Sequence, residues 1–265
     1  MQTSIRLVCA AMLASAALDA ATIAYWRFEE GAGTVAHDSS GNGNDGTIIG
    51  GAVFVPNVPW SIVPQTGEPN LYSLQFNGSN AAVMAQDSPT LRPGSGFTVE
   101  AMIKTVNPSL GWVIIGKQFH SGTNNSFQLE IKGGSLIFQL TNASNQAAFV
   151  SVAAPTAGDW HHVTGEWDGS KMMLYLDTIL VASKAFSGPI GWDINPVLIG
   201  ADNDATLGGG PRCCWFNGLI DEVRLSDSAL PPVAFISTPE PSSLCLLGSG
   251  ILVFVARFRG RRRSQ

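Results

Sequence analysis

Short apolar runs alternate with turn residues along this chain, and no stretch between its two ends keeps a 3.6-residue apolar period long enough for a core helix. A period of two marks strands, because successive side chains on an extended backbone point to opposite faces. Strands are predicted on this pattern over 22–28, 73–76, 81–85, 97–104, 112–117, 127–132, 135–141, 149–152, 160–167, 172–176, 178–183, 197–199 and 218–225. Gly133-Gly134 joins two of them, and glycine reaches positive φ readily, so the pair reads as a hairpin turn. Asp168-Gly169-Ser170 and then Asp177 connect three further strands into a meander. So many strands predict a single all-β domain, a sandwich or barrel, since such folds run to roughly 200–250 residues as one unit.

The two ends follow different rules. Arg6, an apolar segment over 7–18 and alanines at 20 and 21 describe a secretory signal peptide over residues 1–20, with cleavage expected after Ala20 or Ala17. At the other end, Pro239-Glu240-Pro241 precedes an apolar run over 244–256 and arginines at 257, 259, 261, 262 and 263. That run is shorter than the ~20 residues of a comfortable membrane span. The arginines hold the terminus on the cytoplasmic side. Residues 237–265 resemble the PEP-CTERM sorting signal of exopolysaccharide-producing Gram-negative bacteria. The resemblance implies transient anchoring in the inner membrane, processing by an exosortase, and release to the cell surface or extracellular matrix. A helix is expected in each terminal segment.

Removing both ends changes the charge. The full chain carries a formal −5, whereas residues 22–238 hold nine basic and eighteen acidic side chains, a balance of −9. An acidic body lacks the basic footprint that nucleic acid requires and leaves divalent cations and neutral polymers as partners. Only Cys213 and Cys214 remain of the four cysteines. Being adjacent, they are open to a vicinal disulfide, pairing between chains, or the thiol state.

Three segments resemble laminin G-like, concanavalin A-like jelly-roll domains: 25–33 with 38–46, 160–177, and 216–225 running into Ala229-Leu230. The resemblance spans residues 22–232 and implies a two-sheet antiparallel sandwich. One departure is Thr178 after Asp177, where the family usually has glycine. In that family the 38–46 loop and the closing Ile-Asp-Glu strand often hold a structural calcium, which points to Asp38, Asn42, Asn44 and Asp221. Alternating oxygen-bearing side chains suit a hard cation. The loop is not an EF-hand, because its twelfth position is Ile49. The alternative is a polar turn whose Asp and Asn cap their own backbone.

Catalytic patterns are weak. Glucanases of this fold carry Glu-x-Asp-x-x-Glu, and here Glu166 and Asp168 are followed by Lys171. Asp221 and Glu222 are consecutive, so they point to opposite faces of a regular strand. The same holds for His161 and His162, which cannot chelate one ion together from an unbroken strand. No Gly-x-Ser-x-Gly elbow occurs, and Gly208-Gly209-Gly210 leads into no helix that would cradle phosphate. The expectation is therefore a non-catalytic domain that binds carbohydrate or another matrix component, with a purely structural matrix protein or a glycoside hydrolase of the glucanase type as the alternatives. Among seven tryptophans, Trp60, Trp192 and Trp215 flank loops and are the candidates for a sugar-stacking platform.

Overall fold

Sixteen strands and the turns that join them form the computed structural model, which describes residues 21–110, 112–120, 124–203 and 213–238. The signal peptide, the helices expected at both ends, and Pro239, Glu240 and Pro241 lie outside the described residues. In chain order the strands are β1 (Thr22–Trp26), β2 (Val35–Ala36), β3 (Gly46–Ile49), β4 (Val53–Val55), β5 (Ser73–Asn77), β6 (Ala82–Ala85), β7 (Phe97–Thr105) and β8 (Trp112–Gln118). The second half contributes β9 (Asn125–Lys132), β10 (Ser135–Thr141), β11 (Ala147–Ala153), β12 (His161–Trp167), β13 (Lys171–Leu176), β14 (Ile179–Ala185), β15 (Val197–Ile199) and β16 (Asn217–Ser226). Two 3-10 turns, Pro89–Leu91 and Pro232–Ala234, are the only helical turns among the described residues.

The strands form two antiparallel sheets. One runs β14-β13-β12-β7-β16-β5-β4, with β1 on the second half of β16; the other runs β11-β10-β9-β8-β15-β6-β3-β2. Between them lies one hydrophobic core. Phe97, Val99, Ala101 and Ile103 of β7 face Phe127, Leu129 and Ile131 of β9 and Phe138 of β10 within it. The rings of Phe97 and Phe127 sit 5.4 Å apart. The sheets approach so closely at Gly165 that a Cβ there would lie 2.3 Å from the Phe138 ring. This is the two-sheet antiparallel jelly roll expected from the sequence.

Alternate residues of the first sheet face away from the core, and part of this outer face is also covered. The segment after β16 turns back over that outer face. Thr98 Oγ1 donates to the Ser228 carbonyl and accepts from the Leu230 amide, Ile236 N donates to Glu100, and the Phe235 ring packs 5.1 Å from Tyr175 and 5.5 Å from His162. Phe235 and Ile236 are fully buried, so the folded body runs past residue 232, the boundary expected from the sequence, to at least residue 236.

Candidate ligand-binding cleft

Beyond the reach of that strap, the outer face of the first sheet is open. Cross-strand register places Val53, Gln75, Leu219 and Lys104 in one row across β4, β5, β16 and β7. Leu74, Phe76, Ile103 and Ile220 alternate with this row and point into the core. Gln75, Leu219 and Lys104 of this row floor a cleft of about 510 Å³, walled by Asn57 and by the 157–158 turn, whose Gly158 amide donates to the Thr105 carbonyl at 2.9 Å. Gly218 permits the close strand contact at its base, because a Cβ there would lie 2.2 Å from the Lys104 carbonyl. Trp160 Nε1 donates to Asn57 Oδ1 at 3.3 Å and steadies one wall.

The chemistry of the lining is simple. Two side-chain amides, Asn57 and Gln75, supply both donors and acceptors and Lys104 a cation, over the apolar surfaces of Val55 and Leu219. No carboxylate, histidine or cysteine lines it. The volume lies within the roughly 300–1,000 Å³ of small-ligand sites.

Charged groups concentrate instead beneath the strap. Glu100, on β7, receives Arg224 Nε at 2.7 Å, His162 Nε2 at 2.8 Å and the Ile236 amide at 3.1 Å. Burial opposes ionisation of Glu100, but Arg224, His162 and the amide outweigh it and hold its pKa below the usual carboxylate range. Glu166 is 4% exposed on the same face. Burial, with smaller contributions from the charges of Asp168 and Glu100, pushes its pKa up to about 8. Asp168 is a turn cap, its Oδ1 accepting from the amides of Ser170 at 2.8 Å and Lys171 at 2.7 Å. Glu166 and Asp168 thus serve the strap-covered face and a hairpin, away from the cleft.

The four residues expected to hold calcium do not converge. Asp38 Oδ1 accepts from the amides of Tyr25 and Ser40, and its Oδ2 from Asn44 N, all at 2.9 Å. The amide groups of Asn42 and Asn44 both donate to the Ile23 carbonyl, and Asn44 Oδ1 accepts from Ser88. This loop is capped by its own side chains, the polar-turn alternative of the sequence reading. Asp221 lies apart, fully buried on β16, where Asn70 Nδ2 donates to it at 2.9 Å. Burial, followed by the charge of Glu222, raises its pKa well above the usual range. Asn70 Oδ1 beside it is a buried acceptor without a hydrogen-bond partner. No cluster of three His, Cys, Asp or Glu side chains able to hold a metal occurs among the described residues.

The tryptophan platform is also placed differently. Trp192 packs edge-on against Phe97 and Phe127 and donates to the Pro93 carbonyl at 3.1 Å, because its loop folds over the end of the core. Trp60 packs with Tyr25, Met102 and Ile236 under the strap. Trp215 is half-buried just before β16. The open aromatic is Phe149, 58% exposed on the edge strand β11. Register aligns it with Gln139 and Gln128 on the outer face of the second sheet. The alternation of 147–153 with Val150 facing the core carried this signal in the sequence; Asn57, Gln75 and Lys104 carried none, since only the pairing of distant strands unites them.

Residues 77–233 match the family described as the concanavalin A-like lectin/glucanases superfamily, and 237–263 match the PEP-CTERM protein-sorting motif. The chain belongs to the concanavalin A-like lectin/glucanases superfamily. Solved structures of similar fold include the binding domain of Paraclostridial Mosquitocidal Protein 1, with a TM-score of 0.59 at 14% identity over 80% of this chain and 50% of that one. The binding domain of botulinum neurotoxin DC in complex with rat synaptotagmin II gives 0.57 at 14% identity over 80% and 49%. The botulinum neurotoxin serotype G binding domain gives 0.57 at 15% identity over 82% and 50%. This chain spans about half the length of each, and the likeness is one of fold. A search of curated protein sequences returns no match. The PEP-CTERM motif marks this superfamily member as a secreted protein sorted by way of the membrane.

Proposed function

We propose that this protein is an exported, non-catalytic domain that binds carbohydrate or another matrix component through the Asn57–Gln75–Lys104 cleft, after an exosortase has processed its tail. The cleft carries the reading. Two side-chain amides and an ammonium over an apolar floor suit a ligand with hydroxyls on its edges and C–H groups on its faces. Glycoside hydrolysis normally requires two opposed carboxyl groups, and none lines the cleft. Cell entry of botulinum neurotoxin type C, of similar fold, depends on interaction with two ganglioside molecules, which supports the same class of ligand here. The test is a glycan array probed with the full chain, hits being measured by calorimetry. Binding lost in Gln75→Ala and Lys104→Ala supports the cleft, whereas an array without hits favours a purely structural matrix protein.

The exposed Phe149 beside Gln139 favours a second reading, in which the outer face of the second sheet binds the sugar. Binding lost in Phe149→Ala and kept in Gln75→Ala selects it. Sorting is tested separately. Replacing Pro239-Glu240-Pro241 leaves the fold intact and changes where the protein accumulates; normal maturation of that variant contradicts exosortase processing. Calcium enters this reading at Asp221, where the unpartnered Asn70 acceptor lies beside the carboxyl.

A further inference from the structure

Cys213 and Cys214 stand at the entry to β16, and their Sγ atoms lie 2.6 Å apart, within about 0.6 Å of a disulfide bond length. The backbone pins both residues. Cys213 exchanges two N–H···O bonds with Asp202 at 3.0 Å each, and the Cys214 carbonyl accepts Val113 N of β8 at 2.8 Å. Cys214 is exposed and sits at φ 56, a left-handed conformation that non-glycine residues seldom adopt. Two fixed backbone anchors therefore hold the thiols against each other, and the proximity disfavours pairing with a second chain.

We propose that Cys213 and Cys214 oxidise on export to a vicinal disulfide, a modification site that braces the turn into β16. The oxidant is a protein or small-molecule disulfide of the exported compartment. The exposed Cys214 thiolate attacks one of its sulfurs and expels the other as a thiolate, giving a mixed disulfide. Cys213, deprotonated, then attacks the Cys214 sulfur and expels the second oxidant thiolate. Two protons and two electrons leave the pair, and the oxidant's disulfide becomes two thiols. The resulting ring is strained, because adjacent Cα atoms lie about 3.8 Å apart while disulfides usually span about 4.4–6.8 Å. Strain makes the bond easily reduced, so the ring is a redox-labile brace. Its ring precedes Trp215 and the fully buried Phe216, which packs on Phe76.

The test uses full-chain protein recovered from the exporting cell without reductant, denatured, alkylated with iodoacetamide and digested. The peptide holding residues 213 and 214 is expected unalkylated and two hydrogens lighter than the dithiol, and to take two alkyl groups only after reduction. In glutathione buffers it is expected to open at a more oxidising ratio than structural disulfides do. Double alkylation without reduction, or recovery of the peptide cross-linked to a second copy, would overturn the proposal. In Cys213→Ser, Cys214 is expected to alkylate without reduction, and protection in that variant would also count against it.

Discussion

Glu166→Gln separates a structural carboxyl from a catalytic one. Glu166 is 4% exposed on β12, its Oε2 has no hydrogen-bond partner, and burial first, then the charges of Asp168 and Glu100, raises its pKa from 4.5 to about 8. An acid whose folded pKa exceeds its unfolded one contributes its full stability below the unfolded pKa and loses it as pH rises toward the folded value. Each pH unit between 4.5 and about 8 removes about 1.4 kcal/mol, so the whole span has a ceiling of about 5 kcal/mol. Screening and local relaxation bring this to about 2–3 kcal/mol. Glutamine keeps the shape and cannot ionise. Melting followed by circular dichroism should therefore find variant and wild type alike at pH 4.5 and the variant roughly 4–10 °C more stable at pH 9. Parallel pH curves for the two proteins would refute the argument. A raised carboxyl is also what a general acid needs, so the same pair of proteins is assayed for sugar release from polysaccharide. Release by wild type that Gln abolishes would overturn the non-catalytic reading.

Asp177 and Thr178 both occupy positive φ, at 50° and 68°, in the turn between β13 and β14. A β-branched residue is strained there, so Thr178→Gly should raise stability in urea unfolding by about 1 kcal/mol despite the greater freedom of the unfolded chain. Phe235→Ala removes the ring that fastens the strap and should cost about 3–5 kcal/mol, with earlier proteolysis of the segment after residue 230. Calcium at millimolar concentration should raise the melting temperature of wild type and of Asp38→Ala but not of Asp221→Asn; a response lost with Asp38 and kept without Asp221 would return the cation to the 38–46 loop.

The meander, both glycine-rich turns and the strand that closes the fold were legible because each is set by local alternation and turn chemistry: β12, β13 and β14 fall within two residues of the pattern. The short strands β2, β3 and β4 were missed, since two to four residues show no period of their own and depend on partners, β3 on β6, β2 on β3 and β4 on β5. Thr178 was visible as a departure, and its cost became clear only with its backbone angle. The cleft was invisible for a different reason. Gln75, Lys104 and Leu219 are far apart in the chain, and only the pairing of β16 between β5 and β7 sets them side by side. The loop tryptophans misled because an indole beside a polar loop is as readily a lid on the core as a platform, which is what Trp192 became.

Calorimetric titration of an array-identified oligosaccharide into wild type, Gln75→Ala, Lys104→Ala and Phe149→Ala tests the central claim most directly. The account predicts saturable binding by wild type and Phe149→Ala, at least tenfold weaker binding by each cleft variant, and no sugar released on prolonged incubation. Undiminished binding by both cleft variants, or turnover of the ligand, would contradict it.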